Sequence, residues 1–327
     1  MEKSNETAVI RISRQGSPAV LEYGLETIGT PNANQVILNQ KAIALNFVDV
    51  MFRNGTFPVN NFPVTIGVEA AGTVESVGEN VKDLVVGDRV GYFFALGAYA
   101  ERRLINASEL IKVPDDVSFD QAAAIMAKGL TARMLIKQAY SVKKGDTILV
   151  HATAGGVGSL VSRWAKALGA IVIGTVGNSI KKSYALSHGI DLVVALDNED
   201  LTESVNNFTE GKGVDAVFDG VGKATFNDSL NVLKTGGTYL LFGNSSGVPD
   251  IDNKVLNDRK INFIRPNLGS YFPDKASVQF AATEMFDALR NGILGEINPT
   301  IYSLSDVSKA HQDLESSSTK GSIIFHI

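Results

Sequence analysis

Residues 146–169 read DTILVHATAGGVGSLVSRWAKALG, and this stretch decides the fold. The apolar run at 147–150 predicts a strand that is buried on both faces. A glycine-rich turn follows, and apolar residues then recur at helical spacing until Gly169 ends the predicted helix. Such a turn leaves backbone N–H groups unpaired at a helix start, where the helix dipole also favours negative charge. The four residues predicted to hold a diphosphate are Gly155, Gly156, Val157 and Gly158.

The spacing of these glycines departs from the usual dinucleotide fingerprint, G-x-G-x-x-G. Thr153 stands where that fingerprint has its first glycine. Taken alone, the glycines also fit an ordinary turn between a strand and a helix.

Composition and charge exclude several classes of protein. The 327 residues are long for a single core, so we expect two domains. The net charge of −5 provides no basic surface, which argues against nucleic acid or an anionic membrane as a partner. The absence of cysteine excludes disulfides, thiolate catalysis and cysteine-ligated metals. With no apolar run long enough to span a bilayer and no signal-peptide pattern, we expect a cytoplasmic protein.

The first third of the chain differs in pattern from the middle. Short strand-like runs separated by Gly, Pro and Asn extend to about residue 120 and predict a small, partly closed β-barrel. A helical stretch at 122–138, interrupted by Gly129, follows. Strands and helices then alternate through residues 147–264, which is typical of a doubly wound parallel sheet.

Beyond Pro266 the alternation stops. Helices are predicted over 276–290 and 305–315, and a last strand over 322–325. The expected fold class is therefore α/β, with a Rossmann domain inserted in a β-rich domain and a ligand site in the cleft between them. The predicted boundaries are 125–264 for the Rossmann domain, and 1–124 with 265–327 for the β-rich domain.

The second predicted strand, at 171–176, indicates which dinucleotide binds. NAD sites carry an Asp or Glu about 20 residues past the glycines, where it hydrogen-bonds the ribose 2′-OH. No Asp or Glu occurs between Gly158 and Asp191, and Lys181 and Lys182 open the next helix. A lysine would accept the 2′-phosphate that a carboxylate would repel. The pattern favours NADP(H), although a lysine pair alone also fits a solvated helix face.

The chain carries no recognisable metal-binding set. Its four histidines are dispersed, and His151, beside the glycine turn, is interpreted as a hydrogen-bonded structural residue. A quinone or an enone is already electrophilic. Its reduction needs only a placed nicotinamide, a dry cleft and a donor for the developing oxyanion.

Further motifs identify a family. They are NFVD (46–49), GVEAAG (67–72), VGDRV (86–90), GAYAE (97–101), KGLT (128–131), AGGVG (154–158), FDGVG (218–222), FGNSSG (242–247) and RPNLGSY (265–271). In their order and spacing, over residues 8–326, the chain resembles the zinc-free quinone oxidoreductases of the medium-chain dehydrogenase/reductase superfamily, the group that includes ζ-crystallin. Val48 and Val68 stand where zinc-dependent relatives carry Cys and His.

The resemblance implies a GroES-like catalytic domain, a Rossmann domain, an NADPH cofactor and a homodimer. It implies that Asn46 lies near the nicotinamide and the substrate, Thr131 near the nicotinamide ribose, and Lys181 at the 2′-phosphate. It also implies that Asp219 and Val221 line the strand end beside the adenosine. The other implied cofactor contacts are Thr175 and, at the nicotinamide end, Phe242, Gly243, Asn244, Ser245, Arg265, Pro266 and Asn267.

Some positions depart from the family pattern. Leu196 stands where relatives often have a tyrosine, and Ser317 where some have an arginine beside the cofactor. Met51 and Phe57 replace tyrosines common in the substrate cleft. Tyr92 is therefore the candidate catalytic tyrosine, the alternative being a tyrosine packed in a barrel strand.

The function predicted from the sequence is NADPH:quinone oxidoreduction by direct hydride transfer without a metal, with Asn46 orienting the acceptor carbonyl. Two alternatives stay open. One is an NADPH-dependent enone or alkenal double-bond reductase, and the other is an NADPH- or RNA-binding protein with little turnover.

Overall fold

A computed structural model describes residues 5–316 and 318–327. The strands are β1 (Glu6–Ile12), β2 (Glu22–Thr27), β3 (Gln35–Leu45), β4 (Val64–Thr65), β5 (Ala70–Val77), β6 (Arg89–Tyr92), β7 (Arg102–Asn106), β8 (Ile111–Lys112), β9 (Thr147–Val150), β10 (Ile171–Val176), β11 (Leu192–Ala195), β12 (Val214–Asp219), β13 (Leu233–Leu241), β14 (Asn262–Ile264), β15 (Thr300–Ser303) and β16 (Ile323–His326).

The α-helices are α1 (Phe47–Asn54), α2 (Phe119–Met134), α3 (Gly156–Ala167), α4 (Lys182–Leu186), α5 (Leu201–Thr209), α6 (Phe226–Val232), α7 (Asn253–Asp258), α8 (Leu268–Tyr271), α9 (Lys275–Arg290) and α10 (Val307–Glu315). A π-helical turn, Leu135–Ala139, follows α2, and a 3-10 turn, Ser179–Lys181, precedes α4. No helix in the described part of the chain combines the length and apolarity that crossing a bilayer requires.

One compact unit contains the described residues up to Ala127, Lys275–Ala282, and the chain from Ile297 onward. Its larger sheet has the order β15-β16-β3-β5-β6-β8, with β7 also paired to β3, and a smaller sheet has the order β2-β1-β4. Strand β3 is eleven residues long, and two irregularities in its register with β5 bend it, so that it also pairs with β7 and β16. These sheets agree with the predicted β-rich domain.

The second compact unit contains Lys128–Asp274 and Thr283–Glu296. Its six strands are all parallel, in the order β11-β10-β9-β12-β13-β14. This is the doubly wound order of a Rossmann sheet, whose central strands are apolar because both faces are covered. The predicted doubly wound parallel sheet is confirmed.

Helix α3 packs on this sheet through the apolar positions seen in the sequence. Leu160, Val161, Trp164 and Ala165 are all buried, and a large apolar side chain contributes about 1.5–3 kcal/mol when fully buried. The chain turns at Gly169, whose φ of 87° is left-handed and favours glycine.

Gly129 does not interrupt the predicted helical stretch, because α2 runs through it. Its neighbours Ala127 and Leu130 are buried. Their packing outweighs the roughly 1 kcal/mol that a glycine costs inside a helix.

The compact units also differ from the predicted boundaries, since 265–274 and 283–296 group with the second unit. Side chains of that unit hold the later segment: Arg133 Nε donates to Glu284 Oε2 at 2.6 Å, and Arg163 Nη1 donates to the Leu294 carbonyl at 2.6 Å. The division into a catalytic and a cofactor domain at the predicted boundaries stays a prediction.

Candidate functional site

The predicted diphosphate turn lies at the start of α3. Gly155 caps the helix, and its N–H donates to the Ala152 carbonyl at 2.8 Å. N–H groups of a first helical turn have no acceptor within their helix, so they suit an anion. Gly155, Gly156 and Val157 are half-buried at this position.

Gly158 is sterically required in this turn, whereas the close neighbour of Gly156 is a flexible lysine side chain. A β-carbon on Gly158 would lie 2.4 Å from the Ala152 carbonyl oxygen, and one on Gly156 would lie 2.6 Å from Lys128 Cδ. Gly158 thus lets the helix approach the end of β9 closely, as the third glycine of a dinucleotide fingerprint does.

Thr153, at the place of the missing fingerprint glycine, points into the protein. It is fully buried, its N–H donates to the Thr175 carbonyl at 2.9 Å, and its hydroxyl donates to the same oxygen at 3.0 Å. The side chain therefore ties the turn to the end of β10 and does not obstruct the diphosphate position.

His151 is a structural residue, as interpreted from the sequence. Its Nε2 lies 2.6 Å from Ser229 Oγ, and because Ser229 donates to the Thr225 carbonyl, it accepts from the ring. Nδ1 then accepts from Thr175 Oγ1 at 2.9 Å. Burial lowers the pKa of His151, which keeps the ring neutral in this network.

The same network corrects the prediction for Thr175. Its side chain is buried and directed at His151. Thr175 therefore supports the turn from behind and offers no hydroxyl to a cofactor.

Asp219 is also turned inward. Its Oδ1 accepts from the N–H groups of Val221 and Gly222 at 2.7 and 3.0 Å, and its Oδ2 accepts from the hydroxyls of Thr225 and Tyr239 at 2.8 and 2.6 Å. The carboxylate is fully buried. It shapes the turn after β12 from within, which corrects its expected role as a direct contact, while Val221 is half-buried at the surface of that turn.

The predicted residues 242–245 lie against this turn. Phe242 N–H donates to the Asp219 carbonyl at 2.9 Å, and a β-carbon on Gly243 would lie 2.6 Å from the Gly220 carbonyl oxygen. Asn244 Oδ1 is buried without a hydrogen-bond partner among the residues that the structure describes, and Ser245 is exposed. A buried, unsatisfied carboxamide oxygen suits a ligand that carries an N–H donor, as a nicotinamide does.

The segment after β14 offers fewer side chains than predicted. Pro266 is buried, and Asn267 Oδ1 accepts from the N–H and hydroxyl of Ser270, both at 3.0 Å. Arg265 is exposed at the same strand end, and Thr131 is half-buried on α2.

The two lysines after β10 have different surroundings. Lys182 Nζ lies 2.6 Å from Glu199 Oε1. Lys181 is half-buried in the 3-10 turn, which Asn178 caps by accepting from the Ile180 N–H at 2.8 Å. Glu199 holds Lys182 by an ion pair, and a 2′-phosphate contact at Lys181 stays a prediction.

An acidic residue that the sequence reasoning missed reaches this turn from the next strand. Asp197 accepts from the Ser179 N–H and from the Ser179 hydroxyl, each at 3.1 Å. These bonds, the N–H first, lower the pKa of Asp197. The available signal was its position directly after the third predicted strand, which lies beside the second in a doubly wound sheet.

Asn46 belongs to the first unit, where it begins α1. Its N–H donates to Asp49 Oδ2 at 2.8 Å, and its Nδ2 donates to Glu69 Oε2 at 2.7 Å. The other oxygen of Glu69 accepts from the Ala127 N–H at 2.6 Å, and Glu69 is fully buried. Glu69 therefore holds the Asn46 carboxamide, and Asp49 holds the backbone of the same residue. The spacing of the two motifs in the sequence does not predict this support.

Tyr92 is not a pocket tyrosine. It is fully buried on β6, donates to Gln40 Oε1 and accepts from Arg103 Nη1 at 3.1 Å. Burial raises the pKa of its hydroxyl. These contacts match the alternative of a packed barrel residue, so Tyr92 is dropped as a candidate proton donor.

The departures from the family pattern fall in mixed surroundings. Met51 is half-buried, Phe57 is exposed and stacks edge-on against Phe52, and Leu196 is exposed. Ser317 lies outside the described residues.

Comparisons with known proteins agree with this arrangement. Residues 32–115 match the alcohol dehydrogenase GroES-like domain, and residues 156–285 match the zinc-binding dehydrogenase family. Quinone oxidoreductase of Pseudomonas aeruginosa is 39% identical over 319 residues, which cover 96% of this chain and 98% of that protein. A 2-haloacrylate reductase of a Burkholderia species is 37% identical over 96% of this chain and 97% of its own.

Solved structures show the same similarity. The crystal structure of Escherichia coli quinone oxidoreductase complexed with NADPH superposes with a TM-score of 0.94 at 38% identity, covering 98% of this chain and 100% of that one.

Proposed function

Because the chain belongs to the quinone oxidoreductase family of the medium-chain dehydrogenase/reductase superfamily, we propose that it transfers a hydride from NADPH to a quinone. The observation that carries the proposal is the glycine turn at the start of α3, where Gly158 lets the helix close onto β9. That geometry, with the buried and unsatisfied Asn244 oxygen, fits a dinucleotide with a nicotinamide.

Residues of the second unit would hold the cofactor. The N–H groups of Gly155–Gly158 receive the diphosphate, Lys181 the 2′-phosphate, and Asn244 the nicotinamide carboxamide. When NADPH is bound, its nicotinamide supplies the hydride. The backbone after β12 and β13, which Asp219 fixes, would also contact the cofactor. The remaining proposed contacts are the side chains of Thr131, Phe242 and Arg265.

Asn46 is the proposed residue that orients the acceptor. A carboxamide nitrogen carries two N–H groups, and the bond to Glu69 uses one of them. The second N–H would donate to the carbonyl oxygen of the quinone, where negative charge develops as the hydride arrives. Water supplies the proton, since Tyr92 is buried in the barrel.

The proposed chemistry does not require a metal. Val48 and Val68 have no donor atoms at the positions where zinc-dependent relatives carry ligands, and Val68 is buried. No group of three or more His, Asp or Glu residues suited to a metal occurs within 5–316 and 318–327. An electrophilic quinone does not need the polarisation that a Lewis acid provides.

The direct test is oxidation of NADPH by the purified protein with an ortho- and a para-quinone, in the presence of a metal chelator. We expect turnover that the chelator does not change. Failure of NADPH oxidation with every quinone and alkenal tried would contradict the proposal.

A second candidate is reduction of a conjugated carbon–carbon double bond, which the similarity to a 2-haloacrylate reductase favours. It keeps the cofactor site and changes the acceptor. Comparing kcat/KM on a quinone series with that on alkenals and 2-haloacrylates separates the two.

The remaining expectations are also proposals. They are a homodimer, a cytoplasmic location and no nucleic-acid partner. Tight NADPH binding without turnover on any acceptor would instead support a binding protein with little activity.

A further inference from the structure

The parallel sheet brings together the ends of β10 and β11. Val176 pairs with Ala195, and the Leu196 N–H donates to the Val176 carbonyl at 2.9 Å. Asp197 follows directly, and its carboxylate accepts both donors of Ser179, at 3.1 Å each. Ser179 opens the turn that contains Lys181.

Asp197 thereby places a carboxylate beside the end of β10, a strand that carries no acidic residue of its own. In NAD sites, the acid that accepts the ribose 2′-OH lies at the end of the second strand. Here, β10 has no acid, but Asp197 of the adjacent strand end is hydrogen-bonded to the residue that follows β10 by three positions.

The local charges also fail to form a strongly cationic site. Lys182 lies 2.6 Å from Glu199, and Asp197 stands beside the turn of Lys181. Two lysines and two carboxylates sum to zero formal charge. A 2′-phosphate, which carries up to two negative charges, therefore meets one carboxylate that repels it and that already holds the Ser179 donors.

We propose that Asp197 determines how strongly this protein prefers NADPH to NADH, because its carboxylate competes with the 2′-phosphate for the Ser179 N–H and hydroxyl. The inference rests on the proposed function and concerns the cofactor specificity of the same site. The wild-type protein should accordingly discriminate weakly between the two dinucleotides.

Asp197→Asn is the first test variant, because the amide oxygen still accepts from Ser179 while the charge is removed. Asp197→Lys adds the opposite charge. Glu210→Gln is the matched control. It removes one negative charge from the same unit, at an exposed position between α5 and the start of β12, whereas Asp197 follows the carboxyl end of β11.

The measurement is the dissociation constant of each variant by calorimetry for NADPH, NADH, adenosine 2′,5′-bisphosphate and adenosine 5′-monophosphate. Removing one unit of charge close to the phosphate should raise the affinity ratio of bisphosphate to monophosphate, and of NADPH to NADH, by about tenfold in Asp197→Asn. Asp197→Lys should raise both ratios further, and Glu210→Gln should leave both unchanged.

Two outcomes would overturn the inference in distinguishable ways. Tight NADPH binding with the same ratios in wild type, Asp197→Asn and Asp197→Lys would reject the role of Asp197 and leave the proposed function standing. Absence of binding of either dinucleotide to all four proteins, with folding verified by circular dichroism, would reject both.

Discussion

The side chain of Thr153 fills the space that a β-carbon on Gly174 would need. Such a β-carbon would lie 2.7 Å from Thr153 Cγ2 and 2.8 Å from its Oγ1. The threonine that replaces the first fingerprint glycine fits because the second strand carries a glycine opposite it. The hydroxyl then bonds to the Thr175 carbonyl. The pair explains how a diphosphate turn persists without the usual spacing.

The pair predicts a non-additive double mutant. Gly174→Ala should lower the free energy of unfolding by about 1–3 kcal/mol through overpacking. Thr153→Ala removes both clashing atoms, so Gly174→Ala should cost much less in that background. Urea denaturation of the wild type, the two single mutants and the double mutant measures the coupling. Additive losses would show that the two residues do not share the space.

Glu69 is predicted to act as a positioning residue through Asn46. The two oxygens of Glu69 accept from Asn46 Nδ2 and from the Ala127 N–H, whereas glutamine has only one oxygen. In Glu69→Gln, one of these two bonds is lost, so the Asn46 carboxamide loses its fixed orientation. We expect kcat with a quinone to fall by roughly ten- to hundredfold, while the dissociation constant of NADPH stays close to that of wild type.

Glu101→Gln, a half-buried glutamate of the same unit, is the control for loss of one carboxylate. An unchanged kcat in Glu69→Gln, or an equal loss in both variants, would contradict the positioning role.

Lys181 and Lys182 form a matched pair for the 2′-phosphate. Lys181→Ala should raise KM for NADPH by roughly tenfold, as expected for loss of a charge-assisted bond, and leave KM for NADH nearly unchanged. Lys182→Ala should change neither, because Glu199 holds that ammonium. If Lys181→Ala raised KM for NADPH and for NADH equally, the prediction that Lys181 contacts the 2′-phosphate would be wrong.

The buried His311 is expected to make the free energy of unfolding decrease in acid. Its Nε2 lies 3.0 Å from the Tyr99 hydroxyl and its Nδ1 3.4 Å from Arg53 Nη1. Burial first, and then Arg53, lower the pKa of His311 from 6.5 to about 3. Between these values the unfolded chain binds a proton that the folded chain does not, so the free energy of unfolding should fall as the pH falls below about 6.5.

The expected slope from this one group is about 1.4 kcal/mol per pH unit. His311→Gln should reduce the slope of unfolding free energy against pH by that amount between about pH 6 and about pH 4. Urea denaturation measures the slope, with about pH 8 as the baseline, where the ring of residue 311 is neutral in both the folded and the unfolded wild-type chain. A slope identical to that of wild type would show that the His311 ring is protonated in the folded protein.

The sheet could be predicted because each strand of a covered parallel sheet is an apolar run, and the glycine turn because Gly158 must meet β9 without a side chain. The direction in which individual side chains point could not be predicted from the sequence. Thr175 and Asp219 stand at strand ends where a cofactor contact is expected, but hydrogen bonds to His151 and Tyr239 turn both inward. Such choices depend on residues far away in sequence.

Asp197 shows the same limit more sharply. A rule that follows one strand finds no acid between Gly158 and Asp191. Only the pairing of β10 with β11 brings the Asp197 carboxylate to Ser179. Likewise, Gln40 and Arg103 come from other strands to bind the Tyr92 hydroxyl, and the pattern of one strand does not predict these contacts.

The central claim is hydride transfer from NADPH to a quinone without a metal. Its most direct test is single-turnover reduction of a para-quinone by NADPH deuterated at the transferred position, with chelator present throughout. The account predicts a primary isotope effect on NADPH oxidation and a rate that the chelator does not change. No oxidation of NADPH, or activity that disappears with the chelator and returns with zinc, would contradict it.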